Sequence, residues 1–555
     1  MNGMRVVRLL GDAEETAGVA AVLRFRTRAR VRRAKLVVPA WALLLLVGAH
    51  AAAGAERPLS LMNAVRMALD KNERIVIERE SVAAAEAAVT GARGAYDPFL
   101  ELQGGWQRVT EPVNSAFSGA PEGEPAPTTE VSDAGASLRQ LLSSGGELSL
   151  WLGTARATTD DAFTLLSPAW DTAAGVEFRQ PLLRDRAVDA ARLSIRVAAA
   201  DRELAGASLR RVVGDTVAEV EWAYWRLLAA RREVEVQDEA VGLADEQLAE
   251  TQIRISSGAA PETEIAQPRA ELERRRGDLL ASREAASRAE NVLKLLILDD
   301  GDELWLDRLV PADEAPAETP QGDLASALER ALASRPELEA AAAVVTRRRA
   351  EAALADDAVK PRLDAVVSYT RFGLAGEANP AGGAIPGFPA TVPPGQEGGW
   401  SRSWTVLGEG DFDDSRVGLV FGLPLGNRSS RAAAATAAAS TRQAEAELAR
   451  ARKLIRAEVL DAASALETTA GRIEATRAAR EAAEVQLGAE QERYAVGLST
   501  NFLVLTRQND LARARLDENA ALTDHRIART RMARATGSLL EERGIVIDPG
   551  PTSTQ

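Results

Sequence analysis

The chain has no cysteine among its 555 residues. That excludes a disulfide framework, a thiolate metal site and a lipid-bearing cysteine at a mature N-terminus. Histidine is nearly missing too. Only His50 and His525 occur, and His50 lies in a segment expected to be removed. Imidazole catalysis and histidine-based metal binding therefore have almost nothing to work with. Aromatic residues are 4% of the chain, against 46% apolar residues, much of them alanine. That balance favours helices over a thick aromatic core. There is no cationic excess. The net charge is −14, which argues against nucleic acid as a partner, because phosphate wants a basic face. No Walker loop, Gly-x-Gly-x-x-Gly after a strand, Gly-x-Ser-x-Gly or His-Glu-x-x-His is present. The acidic run Asp299-Asp-Gly-Asp-Glu303 lacks the spacing of a calcium loop and reads as a solvated turn. The sequence thus predicts neither an enzyme nor a cofactor or metal site.

What is present begins with an export signal. Arg24 to Lys35 form a strongly basic stretch, Leu36 to Gly48 a 13-residue apolar stretch, and Ala53-Gly-Ala55 a small-residue cleavage site. The apolar stretch is too short for a bilayer core of ~30 Å. Residues 1–55 are therefore expected to be a signal peptide, with 1–23 an unusual N-terminal extension. After it, no apolar run approaches the length of a transmembrane helix. An exported chain without such a span is periplasmic, extracellular, or a membrane β-barrel, whose strands alternate and leave a weak hydropathy signal.

The rest of the chain repeats. LMNAVRMAL at 61–69 matches LASALERAL at 324–332. Each leads to a proline and a strand-like stretch, Tyr96-Asp-Pro-Phe-Leu-Glu-Leu and Val359-Lys-Pro-Arg-Leu-Asp-Ala. Val176-Glu-Phe-Arg-Gln-Pro-Leu-Leu pairs with Val417-Gly-Leu-Val-Phe-Gly-Leu-Pro-Leu, and RISSGAAPETEIAQPRAEL (254–272) with RYAVGLSTNFLVLTRQNDL (493–511). Two long helical blocks follow, about 187–298 and 429–541, each broken once, at Gly258 or Gly497. Positions 209 to 248 at heptad spacing are apolar in ten of twelve cases, the pattern of a coiled-coil seam. Ile455, Val459, Ala462, Leu466, Thr469 and Ile473 continue it less cleanly in the second block.

Heptads alone also fit a fibrous or dimerising coiled coil. The segments between the helices argue otherwise. Residues 96–181 and 363–425 hold 15 of the 23 aromatics. They also hold short alternating stretches such as Leu100-Glu-Leu-Gln-Gly-Gly-Trp106 and Glu147-Leu-Ser-Leu-Trp-Leu152, the pattern of barrel strands with interfacial aromatics. The Pro-, Gly- and acid-rich connections at 110–133 and 375–414 read as exposed loops. A soluble β-domain capping the coiled coil is the alternative.

An export signal followed by two halves of helix, strand–loop–strand, long helix, glycine turn and return helix resembles the outer membrane efflux protein (TolC) family. The resemblance covers about residues 59–541, and its most family-like pieces are Arg179-Gln-Pro-Leu-Leu-Arg184 and Arg493-Tyr-Ala-Val-Gly497. It implies a mainly α chain with membrane β-structure. A first repeat spans 59–298, a linker 299–323, a second repeat 324–541 and a disordered tail 542–555. It also implies a homotrimeric channel in the Gram-negative outer membrane, most of its mass in the periplasm. The channel would be a passive duct for efflux or type I secretion, opened by a periplasmic adaptor (membrane fusion) protein and an inner-membrane pump of the RND, ABC or MFS class. A periplasmic coiled-coil adaptor and a structural envelope protein are the alternatives. Neither accounts for strands and helices that occur twice.

The family closes its tunnel at the periplasmic tip beside the glycine turns. Tyr494 matches the family's gate tyrosine, and Glu264 falls where the first repeat places an acid after its turn. In the second repeat, Leu503 and Thr506 stand where the TolC pattern has two acids, and Ser499 where it has an arginine. The resemblance therefore implies a more apolar constriction gated by Leu503 and Tyr494, with Glu264 as the remaining acid; the alternative is that Leu503 packs between helices and Glu264 is simply solvated. Four strand-like segments lie in the first half (96–109, 134–143, 147–157, 172–182) and two in the second (363–374, 415–425). The middle pair is either an extra hairpin, giving six strands per protomer and eighteen in a trimer, or an extracellular lobe; the family's standard twelve-stranded barrel, with four strands per protomer, favours the lobe.

Overall fold

In chain order, β1 (Glu56–Leu59) leads into α1 (Leu61–Lys71) and α2 (Glu73–Arg93), then four strands, β2 (Phe99–Thr110), β3 (Thr128–Leu141), β4 (Glu147–Thr159) and β5 (Leu166–Pro181). Two helices follow, α3 (Ala190–Ser256) and α4 (Ala266–Ile297). After β6 (Arg308–Pro311) come α5 (Leu324–Ser334), α6 (Pro336–Asp357), β7 (Arg362–Ala378), α7 (Trp400–Glu409), β8 (Asp413–Gly422), α8 (Arg428–Ala495), α9 (Asn501–Thr536) and α10 (Leu539–Glu542). This is a computed structural model; it describes residues 55–114, 119–122, 124–313, 323–382 and 391–547. Residues 1–54 of the expected export signal, 314–322 of the expected linker and 548–555 of the expected tail lie outside the described residues. No helix among those described is long and apolar enough to cross a membrane.

α3 has 67 residues and α8 has 68, so each runs for about 100 Å at 1.5 Å per residue. Each starts soon after a strand of the large sheet and folds back as a shorter helix, α4 or α9. Asp189 caps α3 by accepting from the Arg192 amide at 2.7 Å. Leu209, Val213, Thr216, Val220, Ala223 and Leu227 are buried on α3, where the heptad reading places the seam. Beyond that the seam moves. Ala240, Gln247 and Thr251 are buried, while Val241 and Leu248, expected from their apolarity, are half-buried. Polar groups fill this stretch because they have partners. Gln247 donates to Asn501 at 2.8 Å and Thr251 to the Gln247 carbonyl at 2.8 Å. On α8, Ile455, Val459, Ala462, Leu466 and Ile473 are buried, and the Thr469 hydroxyl lies 3.1 Å from His525 Nδ1.

The largest core lies where α1, α3, α4 and the short parallel pair β1–β6 meet. Tyr224 is fully buried there and donates to the Leu59 carbonyl at 2.9 Å and to the Asp313 carboxylate at 2.7 Å. Residues 542–547, expected to open a disordered tail, are placed instead. Ile545 and Ile547 pack on this core, and Arg543 pairs with the fully buried Glu221, whose carboxylate also accepts from the Thr530 hydroxyl at 2.6 Å. A buried carboxylate needs such a cationic partner, and that need holds the C-terminal segment down.

The six long strands form one antiparallel sheet in the order β2-β3-β4-β5-β7-β8. This corrects the expectation of four strands per protomer. β3 and β4 are continuous members of the sheet, joined by a tight turn at Ser143–Gly146. Gly145 sits there at φ +82°, and an added Cβ would meet the Asp185 carbonyl at 2.7 Å.

Candidate periplasmic gate and transmembrane pore

Both long helices end in the same way. At the α3 turn, Gly258 adopts φ +75° and the Ala259 amide reaches back to the Arg254 carbonyl at 2.8 Å. At the α8 turn, Gly497 adopts φ +78° and the Leu498 amide reaches the Arg493 carbonyl at 2.8 Å. These are the left-handed glycine stops that leave no orphan carbonyl.

Tyr494, in the last turn of α8, is buried among Ala483, Leu487, Val504 and Leu511. The Arg254 guanidinium of α3 lies over its ring, 4.6 Å from the centroid, and donates to the Tyr494 carbonyl at 3.3 Å. Two more links join the α3–α4 hairpin to the α8–α9 hairpin nearby. One is the Gln247–Asn501 bond, with both side chains buried. In the other, Arg274 and Arg275 of α4 converge on the Asn509 side-chain oxygen Oδ1. Farther along, Arg515 of α9 pairs with Glu239 of α3. The tip is therefore a latched contact between two hairpins.

Leu503 and Thr506 sit on successive turns of α9. Leu503 is 39% exposed, beside Phe502 at 60%, and the Thr506 hydroxyl donates to the Phe502 carbonyl at 2.7 Å. They form one solvent-facing, largely apolar step. Glu264 lies in a short turn, Glu262–Ile265, on the other hairpin, exposed and with no side-chain partner among the described residues. The structure thus places Leu503 with Thr506 and buries Tyr494 beside Arg254, while the Glu264 side chain makes no hydrogen bond or ion pair to any of them. Ser499 bonds the Glu490 carboxylate. Sequence reasoning missed Arg254, Gln247 and Asn501 as latch residues. Gln247 falls off the heptad positions, so the sequence carried no signal for it.

The sheet has two chemically distinct faces, because side chains alternate and directly paired residues share a face. One face carries Leu100 and Leu102 of β2, Leu150 and Leu152 of β4, and Leu419 and Phe421 of β8. The other carries Glu101 and Gln103 of β2, Asp133 of β3, Glu147 and Ser149 of β4, and Glu177 of β5. Water favours the second face and hydrocarbon the first. At the base of the sheet Arg179 and Arg362 hold Asp364, at 3.0 and 2.7 Å, where strand passes to helix. Among the described residues no group of acids or histidine is arranged to hold a metal ion.

A sheet with one apolar and one polar face, continuous with antiparallel helices about 100 Å long, defines a membrane channel with a long tunnel. Comparison with known proteins agrees. Residues 327–538 match the model of the family described as outer membrane efflux protein. No curated protein matches the chain. Among solved structures, a membrane protein from Pseudomonas aeruginosa is 19% identical at a TM-score of 0.60, covering 86% of this chain and 90% of that one. The outer-membrane channel OprN is 17% identical at 0.61, with coverage of 86% and 90%. The Campylobacter jejuni CmeC outer membrane channel is 15% identical at 0.59, with 86% of each chain covered. Residues 327–538 thus match the outer membrane efflux protein family, and the fold over 86% of the chain is shared with solved outer-membrane channels. Its fold is that of outer-membrane channels such as OprN and CmeC.

Proposed function

We propose that three copies of this chain share one β-barrel and one helical tunnel, built in each protomer from two repeats, 59–298 and 324–541. The trimer is the passive exit duct of a tripartite assembly, opened at its periplasmic tip by an adaptor and an inner-membrane pump. The observation that carries this reading is the handover from sheet to tunnel. β5 ends at Pro181 and α3 starts at Ala190; β8 ends at Gly422 and α8 starts at Arg428. One chain thereby supplies both a membrane wall and a tunnel wall. A single protomer encloses nothing, because β2 and β8 each leave an edge unpaired, and hydrocarbon does not tolerate open sheet edges. Heat-modifiable trimers in the outer-membrane fraction are the expected result. A soluble monomer in periplasmic extract would refute the reading.

Within that duct, the Leu503–Thr506 step faces the axis at the tip, Glu264 supplies the nearby acid, and Tyr494 with Arg254 sets the closed arrangement. The latch supports this reading because it ties the two hairpins whose separation would widen the tip. Single-channel recordings of Glu264→Ala and Leu503→Ala are expected to show altered closed-state conductance. Unchanged conductance in both would remove these residues from the gate.

A further inference from the structure

We propose that this chain closes its outer-membrane pore with eighteen strands, six from each protomer, and that the β3–β4 hairpin widens the exit. The inference rests on the trimeric reading above.

The hairpin belongs to the membrane wall by its chemistry. In the paired registers, Leu138 and Ala136 of β3 stand beside Leu150 and Leu152 of β4, on the face that carries Leu100 and Leu102. Asp133 and Ser137 of β3 lie on the opposite face with Gln103. An extracellular lobe has no need of a hydrocarbon face in register with its neighbours. The hairpin's 14 and 13 residues also meet the ~9–11 that a tilted membrane strand requires.

The apolar band gives the tilt. The row of paired residues through Leu102 passes Ala136, Leu152, Ala174 and Arg371 and reaches Asp413 on β8. On β8, however, the apolar residues are Val417, Leu419 and Phe421, centred about six residues further down the strand. The band is centred on Leu150 in β4 and Val176 in β5, part of the way through this shift. Six residues at ~3.3 Å, over five strand spacings of ~4.8 Å, give a slant of about 40°. That is the strand tilt of a closed membrane barrel, ~35–45°. Six strands is also an even number. β2 and β8 therefore run in opposite directions, and β8 of one copy meets β2 of the next as an antiparallel pair.

Eighteen strands at this spacing and tilt give a wall about 36 Å across between backbones, against about 24 Å for twelve. Among the described residues, no helix packs on the polar face. α7 packs on the other face, above the apolar band: the Thr172 hydroxyl donates to the Ser403 carbonyl at 3.1 Å, and Trp400 donates to Thr154 at 3.1 Å. An added Cβ at Gly373 would strike that same helix. The exit mouth is then wide enough for bulky or polymeric cargo, and sieving falls to the periplasmic tip.

Two measurements on the full chain in lipid nanodiscs test this. Native mass spectrometry counts the copies, and cryo-electron microscopy counts the strands at mid-membrane. Three copies with eighteen strands is the expected outcome. Three copies with twelve strands, and β3–β4 outside the bilayer, overturns this inference and leaves the trimer standing. Any other copy number overturns the trimer itself. A third measurement compares the full chain with a variant lacking 112–162, which brings β2 directly against β5 with their apolar faces matched. The largest poly(ethylene glycol) entering from the extracellular side is expected to fall in hydrodynamic radius by about one third, as the wall radius does on going from eighteen strands to twelve. An unchanged size limit in a folded variant overturns the proposal. Should the variant not fold, the strand count of the full chain decides alone.

Discussion

Arg254 holds Tyr494 with two contacts of different kinds, a guanidinium over the ring and a bond to the carbonyl. A partly desolvated cation–π contact is worth about 1 kcal/mol and a hydrogen bond to a charged group about 1.5 kcal/mol or more. Arg254→Ala is therefore expected to raise the open probability of the isolated channel by roughly 50- to 100-fold in bilayer recordings, and Tyr494→Phe to leave it near wild type. His525 makes a second residue-scale case. Burial, with Arg529 adding in the same direction, lowers its pKa below the ordinary imidazole value. The folded state therefore favours the neutral ring, whereas the unfolded chain takes up a proton near pH ~6.5. Stability is lost as pH falls below that value. His525→Leu is expected to reduce the drop in melting temperature between pH 7.5 and pH 5.0 relative to wild type. An identical drop in both proteins would remove His525 from the account. Tyr494 was legible because a turn motif carries it. Arg254, Gln247 and Asn501 were not, because their roles depend on which helix from the other half lies opposite, and one sequence does not supply that pairing.

At the scale of elements, the long helices were legible and the boundaries of the sheet were not. A heptad seam repeats often enough to survive local exceptions. Its drift from Val241 and Leu248 to Ala240 and Gln247 came from tertiary partners that outweigh apolarity. Strands lack that redundancy. The β3–β4 hairpin was visible as alternation, but the family's usual strand number argued it out of the barrel, whereas its register with β2 and β5 makes it part of the same sheet. The C-terminal segment failed for another reason. Composition marks 542–547 as tail, while a single ion pair, Arg543 to the fully buried Glu221, decides its place. Removing one partner of a buried pair costs ~3–5 kcal/mol. Arg543 is partly exposed, so Arg543→Ala is expected near the lower end of that range, about 3 kcal/mol. Arg543→Ala with Glu221→Gln should recover part of the loss, because the stranded charge is then gone. Thermal unfolding of the single and double variants checks both statements. Equal destabilisation by the two would show that the segment, and not the charge, carries the effect.

For the whole molecule, the joined architecture follows from one requirement met twice: every polar backbone group needs a partner in a place without water. The helices meet it internally. The sheet leaves β2 and β8 as open edges, so in hydrocarbon it needs a partner strand at each, which the proposed trimer would supply. What the sequence alone could convey of this was the alternation of single strands. The slant of the apolar band across six strands appears only once their registers are known. That slant makes neighbouring residues on β8 respond oppositely to the same change. Leu419 lies at the centre of the band, and Val420 lies one residue on, on the polar face. A charge placed at mid-bilayer on the lipid face costs ~2–4 kcal/mol, whereas the same charge on the water-filled face is tolerated. Leu419→Arg is therefore expected to reduce heat-resistant trimer in outer-membrane fractions severely, and Val420→Arg to leave it close to wild type. The reverse order would exchange the inside and the outside of the barrel and with them the assignment of α7 to its outer surface. Equal tolerance of both would place β8 outside the bilayer.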